Sequence, residues 1–126
     1  MPSIFDIQVG NWNEEVANEE KPVVVEFWHH KCPVCIEMKP IYKSQSEKYG
    51  NEVKFTRMNL LDSRENRKFA IANGVRSTPT FVVFCEDTPV GHIIGYRELD
   101  KFDKELNTIL THIDNCLKST PIKDEV

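Results

Sequence analysis

No apolar run in this sequence approaches the roughly 20 residues of a membrane-spanning helix, which excludes a helical integral membrane protein. A basic excess is missing as well. Sixteen Lys and Arg stand against 20 Asp and Glu, a net charge of −4, so the positive face expected of a nucleic-acid binder is not there. Internal repeats, low-complexity tracts and Gly/Ser linkers are all absent, and 126 residues suffice for one domain with a real core but not for two. The N-terminal stretch MPSIFDIQVGNWNEEV lacks both a basic head and a continuous apolar segment, so no secretory signal is read and a cytosolic address is expected. Cysteine is scarce, with four residues in all. In a reducing compartment four cysteines are not expected to form a disulfide framework; they suggest metal binding or redox chemistry. Only Cys32 and Cys35 are close together, while Cys85 and Cys116 stand alone.

What is present alternates between strand-like and helix-like segments. Ser3 to Val9 alternates weakly, as a short strand would, and Asn11 to Glu20 carries Trp12 and Val16 at helical spacing before Pro22. Val23 to Trp28 is an almost continuous apolar run, the mark of a strand covered on both faces. Cys32 to Tyr49 predicts a helix with Ile36, Ile41 and Tyr42 on its apolar side and a kink at Pro40. Val53 to Leu60 is a further strand. Ser63 suits the N-cap of a helix running to Asn73, with Gly74 at its end. Thr80 to Cys85 and Val90 to Gly95 predict an antiparallel hairpin, with Pro89 in the turn. The final helix is marked by Phe102, Leu106, Ile109, Ile113 and Leu117. A single α/β domain over 1–117 follows, with strands 23–28, 53–60 and 80–85 central, helices on both faces, and a polar tail at 118–126.

Cys32 lies where the buried strand ends and a helix begins. Pro33 fits the first helical position, where its missing N–H costs nothing. Helical residues three apart have Cα atoms roughly 5 Å apart, inside the window of about 4.4–6.8 Å for a disulfide. Cys32 and Cys35 can therefore bond and separate with little backbone movement. Unpaired amides and the helix dipole stabilise an anion at the first sulfur, which makes Cys32 the expected attacking thiolate and Cys35 the resolving thiol.

The segment VVVEFWHHKCPVCIEMKP resembles the strand–Trp–CxxC–helix core of the thioredoxin family, with Phe27, Trp28, both cysteines and Pro40 in place. The segment VRSTPTFVVF resembles the family's cis-proline loop, with Thr78 before Pro79, and Gly95 resembles its glycine after the last strand. The resemblance spans roughly residues 3–117. It implies the thioredoxin fold, an α/β architecture with a mixed sheet of about five strands and about four helices. It also implies a protein-disulfide oxidoreductase that needs no cofactor beyond its cysteine pair. Disulfide-containing proteins would be its substrates, a reductase its electron donor and a monomer its working form. Trp28, Lys31, Pro33, Val34, Thr78, Pro79 and Gly95 would line the substrate groove. Glu26, which interrupts an apolar strand, matches the family's buried acid. It would carry a raised pKa and exchange a proton with Cys35, with Arg57 as its basic neighbour. Alternatively, Glu26 points to a sheet edge and simply pairs with Arg57.

Two departures from the family pattern bear on chemistry. Lys31 replaces the usual Trp before the first cysteine, and Pro33-Val34 replaces Gly-Pro. With proline at 33, the amides of both Val34 and Cys35 stay free to donate to the Cys32 sulfur, and Lys31 and any protonated His29 or His30 add positive charge. A couple less reducing than a typical thioredoxin is expected. Two other readings stay open. One is a non-catalytic interaction module on the same fold; the other is a metal site using His29, His30, Cys32 and Cys35. Cys85 is expected to be a small core or edge residue and Cys116 a helix residue able to support a dimer if exposed. His92 and His112 read as solvated. The terminal Lys-Asp-Glu-Val is discounted as a retention signal.

Overall fold

The computed structural model describes the backbone of residues 4–125 and the side chains of residues 4–113. Five strands, β1 (Ile4–Asp6), β2 (Val23–Trp28), β3 (Lys54–Asn59), β4 (Thr80–Cys85) and β5 (Thr88–Ile94), form one sheet in the order β1-β3-β2-β4-β5. β1 and β2 run parallel to β3, whereas β4 is antiparallel to both β2 and β5. Three α-helices connect and cover them: α1 (Pro33–Tyr49), α2 (Arg64–Ala72) and α3 (Leu99–Glu125).

The period of two along the strands divides the core. Val23, Val25 and Phe27 of β2 face a cluster with Ala70 of α2 and with Trp12 and Val16. Val24 faces the opposite cluster, with Met38 and Tyr42 of α1 and Phe102, Leu106 and Ile113 of α3. All six residues of β2 are buried, as a central strand covered on both faces requires. The Tyr42 hydroxyl lies 2.6 Å from the Thr56 carbonyl and 3.2 Å from that of Val24, tying α1 to β2 and β3.

Several expectations change. The segment expected as one helix over 11–20 is a 3-10 turn at Val9–Asn11 followed by a single π-turn at Asn13–Ala17. It still buries Trp12 and Val16. Ile36 is half exposed, and α1 instead buries Cys35, Met38, Tyr42, Gln45 and Ser46. Pro40 sits inside α1 without ending it. The hairpin turn is only Glu86-Asp87, both at positive φ (51° and 71°), and Pro89 is in β5 opposite Phe84. Cys85 is buried in the α1/α3 core, but it is also disulfide-bonded, against the expectation of four reduced cysteines. With Cys32 and Cys35 both free, the partner sulfur lies outside the described residues. α3 continues through Glu125, over almost all of the stretch expected as a separate polar tail at 118–126, while the side chains of Cys116 and Leu117 also lie outside the described residues.

Candidate active site

The site forms at the end of β2, where the chain turns into α1. Cys32 is the N-cap of α1, with extended backbone (φ −96°, ψ 108°), and Pro33 opens the helix. The Cys35 amide donates to the Cys32 sulfur at 3.2 Å. Burial raises the pKa of Cys32. Hydrogen bonds from the Cys35 and Thr78 side chains and from the amides of Cys35 and Val34 outweigh it, and hold the thiol below its usual range. Both amides left available by Pro33 thus act on this sulfur. Cys35 is the opposite case. It is fully buried, and burial together with the Cys32 side chain pushes its thiol up to about 12. Adjacent thiols one helical turn apart are thereby made unequal.

Trp28 packs against both cysteines. Two cations flank its ring, Lys39 Nζ at 5.2 Å and Arg57 Cζ at 4.7 Å from the centroid. Glu26, two residues earlier, is 2% exposed, and burial raises its pKa to about 7 against the pull of Arg57 and Lys39. Glu26 does not reach a sheet edge, because β2 is the middle strand. Arg57 is its cross-strand neighbour on β3, but the guanidinium makes its ion pair with Asp6, Nε to Oδ1 at 2.8 Å. The edge-and-Arg57 reading of Glu26 is therefore replaced by that of a buried acid influenced by Arg57 without a salt bridge to it.

From the other side, the loop before β4 closes over Cys32. The Thr78–Pro79 peptide is cis, and the Thr78 carbonyl accepts from the Cys32 thiol at 3.6 Å. The Gly95 amide donates to the Pro79 carbonyl at 2.8 Å, and Gly95 has φ +85°, a conformation that suits glycine. Val34, Ile36 and Tyr96 leave apolar surface exposed. Lys31 is exposed, and its amide donates to His29 Nδ1 at 3.2 Å. The Asn59 side-chain amide holds His30 Nδ1 at 3.0 Å. Among the described residues no three His, Cys, Asp or Glu side chains are grouped to hold a metal ion.

Four contributors were not singled out from the sequence. Asp6, the partner of Arg57, comes from the edge strand β1. Lys39, seven residues after Cys32, lies two helical turns along α1, and that spacing was the available signal. Arg67 and Arg76 line a cleft that Thr78 also lines, and nothing in their local sequence marks them.

The thioredoxin family model matches residues 3–108. Among curated relatives, a thioredoxin of Porphyra purpurea is 28% identical over 109 residues, 86% of this chain and 99% of that protein. A thioredoxin of Synechocystis sp. is 32% identical over 94 residues, 75% and 82% of the two chains. A chloroplastic M-type thioredoxin of Brassica napus is 34% identical over 85 residues, 67% of this chain and 46% of that one. With this sheet order, the unequal thiol pair at a helix start and the loop over Cys32, the chain belongs to the thioredoxin family of thiol–disulfide oxidoreductases.

Proposed function

We propose that the protein reduces or exchanges protein disulfides with Cys32 as nucleophile and Cys35 as resolving thiol. The observation that carries this assignment is the capped, hydrogen-bonded Cys32 sulfur beside a fully buried Cys35. The Cys32 thiolate attacks one sulfur of the substrate disulfide, forming a mixed disulfide and releasing the other sulfur as a thiol. Cys35 then loses its proton and attacks Cys32, which expels the second substrate thiol and leaves the Cys32–Cys35 disulfide. Two electrons pass to the substrate, and a reductase must return them. Because the Cys35 thiol lies at about 12, this second step needs a base, and Glu26, raised to about 7, is suited to supply it. Trp28, Lys31, Pro33, Val34, Thr78, Pro79 and Gly95 border the substrate in this reading, Arg57 contributes positive charge, and His29 and His30 stand at the rim of the site.

Insulin reduction driven by dithiothreitol tests the assignment. Cys32→Ser should abolish turnover, while Cys35→Ser should trap a mixed disulfide through Cys32. Full activity in Cys32→Ser would overturn the roles, and a wild-type protein without activity would favour an adaptor. Glu26→Gln should slow resolution of the mixed disulfide near neutral pH, and an unchanged rate removes Glu26 from the mechanism. Stabilising the Cys32 thiolate stabilises the dithiol. The couple is therefore placed above about −270 mV, toward the roughly −200 to −230 mV of glutaredoxins. Equilibration with glutathione buffers measures it, and a value at or below that of thioredoxin refutes the placement.

The working unit in this proposal is a single domain over 1–117 acting as a monomer in electron transfer to protein substrates. Its address is cytoplasmic. An oxidised Cys85 is uncommon in such a compartment, so subcellular fractionation combined with the redox state of Cys85 in whole-cell extracts decides the point.

A further inference from the structure

A cleft of about 320 Å³ lies between α2 and the loop leading to Thr78. Leu60, Ile71 and Val75 supply apolar wall, and Arg67 and Arg76 supply charge. Arg67 and Ile71 are four apart on α2 and so share one helical face. No carboxylate lines this cleft, although the protein as a whole carries a net charge of −4. Both arginines are exposed, and neither belongs to any of the ion pairs formed among the described residues. Thr78 also lines the cleft, and its carbonyl accepts from the Cys32 thiol at 3.6 Å. A substrate segment leaving the reacting disulfide along this cleft meets a wall that carries the two guanidinium groups.

We propose that this cleft selects disulfide substrates whose target cysteine is flanked by an acidic segment, with carboxylates meeting Arg67 and Arg76 and apolar side chains meeting Ile71 and Val75. The inference rests on Cys32 being the attacking sulfur. Guanidinium groups suit it, because they bind carboxylates through two parallel hydrogen bonds and remain charged at any physiological pH. Charge of one sign along a groove also raises the encounter rate with an oppositely charged partner, an effect that salt suppresses.

The test uses the full chain and three disulfide-linked peptides of one sequence, with Glu, Gln or Lys at the positions flanking cysteine. Each rate constant is divided by that of the same protein with uncharged hydroxyethyl disulfide, so the ratio reads charge preference rather than folding or thiol reactivity. The Glu peptide should exceed the Lys peptide by about tenfold at low salt and by no more than about twofold near 0.5 M salt. Arg67→Gln/Arg76→Gln should abolish that preference. Lys101→Gln/Lys104→Gln, which changes net charge equally on α3, should retain it. Absence of a preference, or one that survives the double arginine change, overturns the proposal. So does glutathione disulfide matching the Glu peptide in rate, since carboxylates alone would then suffice without an extended chain. Cys32→Ser run in parallel separates the two levels. If it stays active the nucleophile assignment fails, and if it is inactive while charge preference is missing only the cleft assignment fails.

Discussion

A carboxyl at position 26 sits in the middle strand with only Arg57 and Lys39 to favour its charge, and burial wins, holding the pKa near 7. Between the ordinary value of 4.5 and about 7, the native state holds a proton that the unfolded chain has lost. Stability is therefore full below about 4.5 and falls as pH rises through about 7. The shift corresponds to about 3 kcal/mol. Urea unfolding should show wild-type stability declining by an amount of that order between pH 5 and pH 8. Glu26→Gln should flatten this slope and be the more stable protein at pH 8, whereas an equal slope in both proteins would assign the dependence elsewhere. Arg57→Gln removes a charge that lowers this pKa, so the midpoint of the same decline should move upward.

At the scale of elements, the boundaries that sequence reading missed are those where an exposed position tolerates an unusual residue. Pro89 reads as a turn residue, yet β5 is an edge strand and a missing N–H there breaks no necessary ladder bond. Ile36 reads as core because it is apolar at helical spacing, but it lies on the open side of α1 one residue after Cys35. Ser63 was legible because capping is local, and its hydroxyl accepts from the Asn66 amide at 3.0 Å. The contact of α3 with the sheet was not, since it depends on Gly91 in β5. A Cβ there would stand 2.8 Å from Ile109 Cγ1 and 2.8 Å from Cγ2, atoms of a stiff branched side chain. Gly91→Ala should cost about 1–3 kcal/mol in chemical denaturation. The double change with Ile109→Ala should cost less than the sum of the single changes.

For the whole molecule, what could be read from sequence is what one contiguous segment contains. Residues 26–35 hold the buried acid, the Trp and both cysteines, and helix geometry alone assigns the two sulfurs different environments. Asp6, Arg67 and Arg76 reach the site only through strand register and helix packing, which no local pattern encodes. The oxidation state of Cys85 is likewise a property of the fold, because an isolated cysteine at a strand end carries no sign of its partner. The three described cysteines consequently form a reactivity series that their shared chemistry would not suggest. Cys32 is 7% exposed with a lowered pKa, Cys35 is fully buried with a thiol at about 12, and Cys85 has no free thiol. Iodoacetamide at pH 7, added to protein whose Cys32 and Cys35 are reduced and whose Cys85 bond is intact, should modify Cys32 ~100-fold faster than Cys35. Cys85 should remain unmodified until the fold and its disulfide are both opened. Peptide mapping by mass spectrometry over a time course reads all three positions at once. Equal labelling of Cys32 and Cys35 would remove the asymmetry on which nucleophile and resolving thiol are assigned, and early labelling of Cys85 would show that its disulfide does not persist in the native protein.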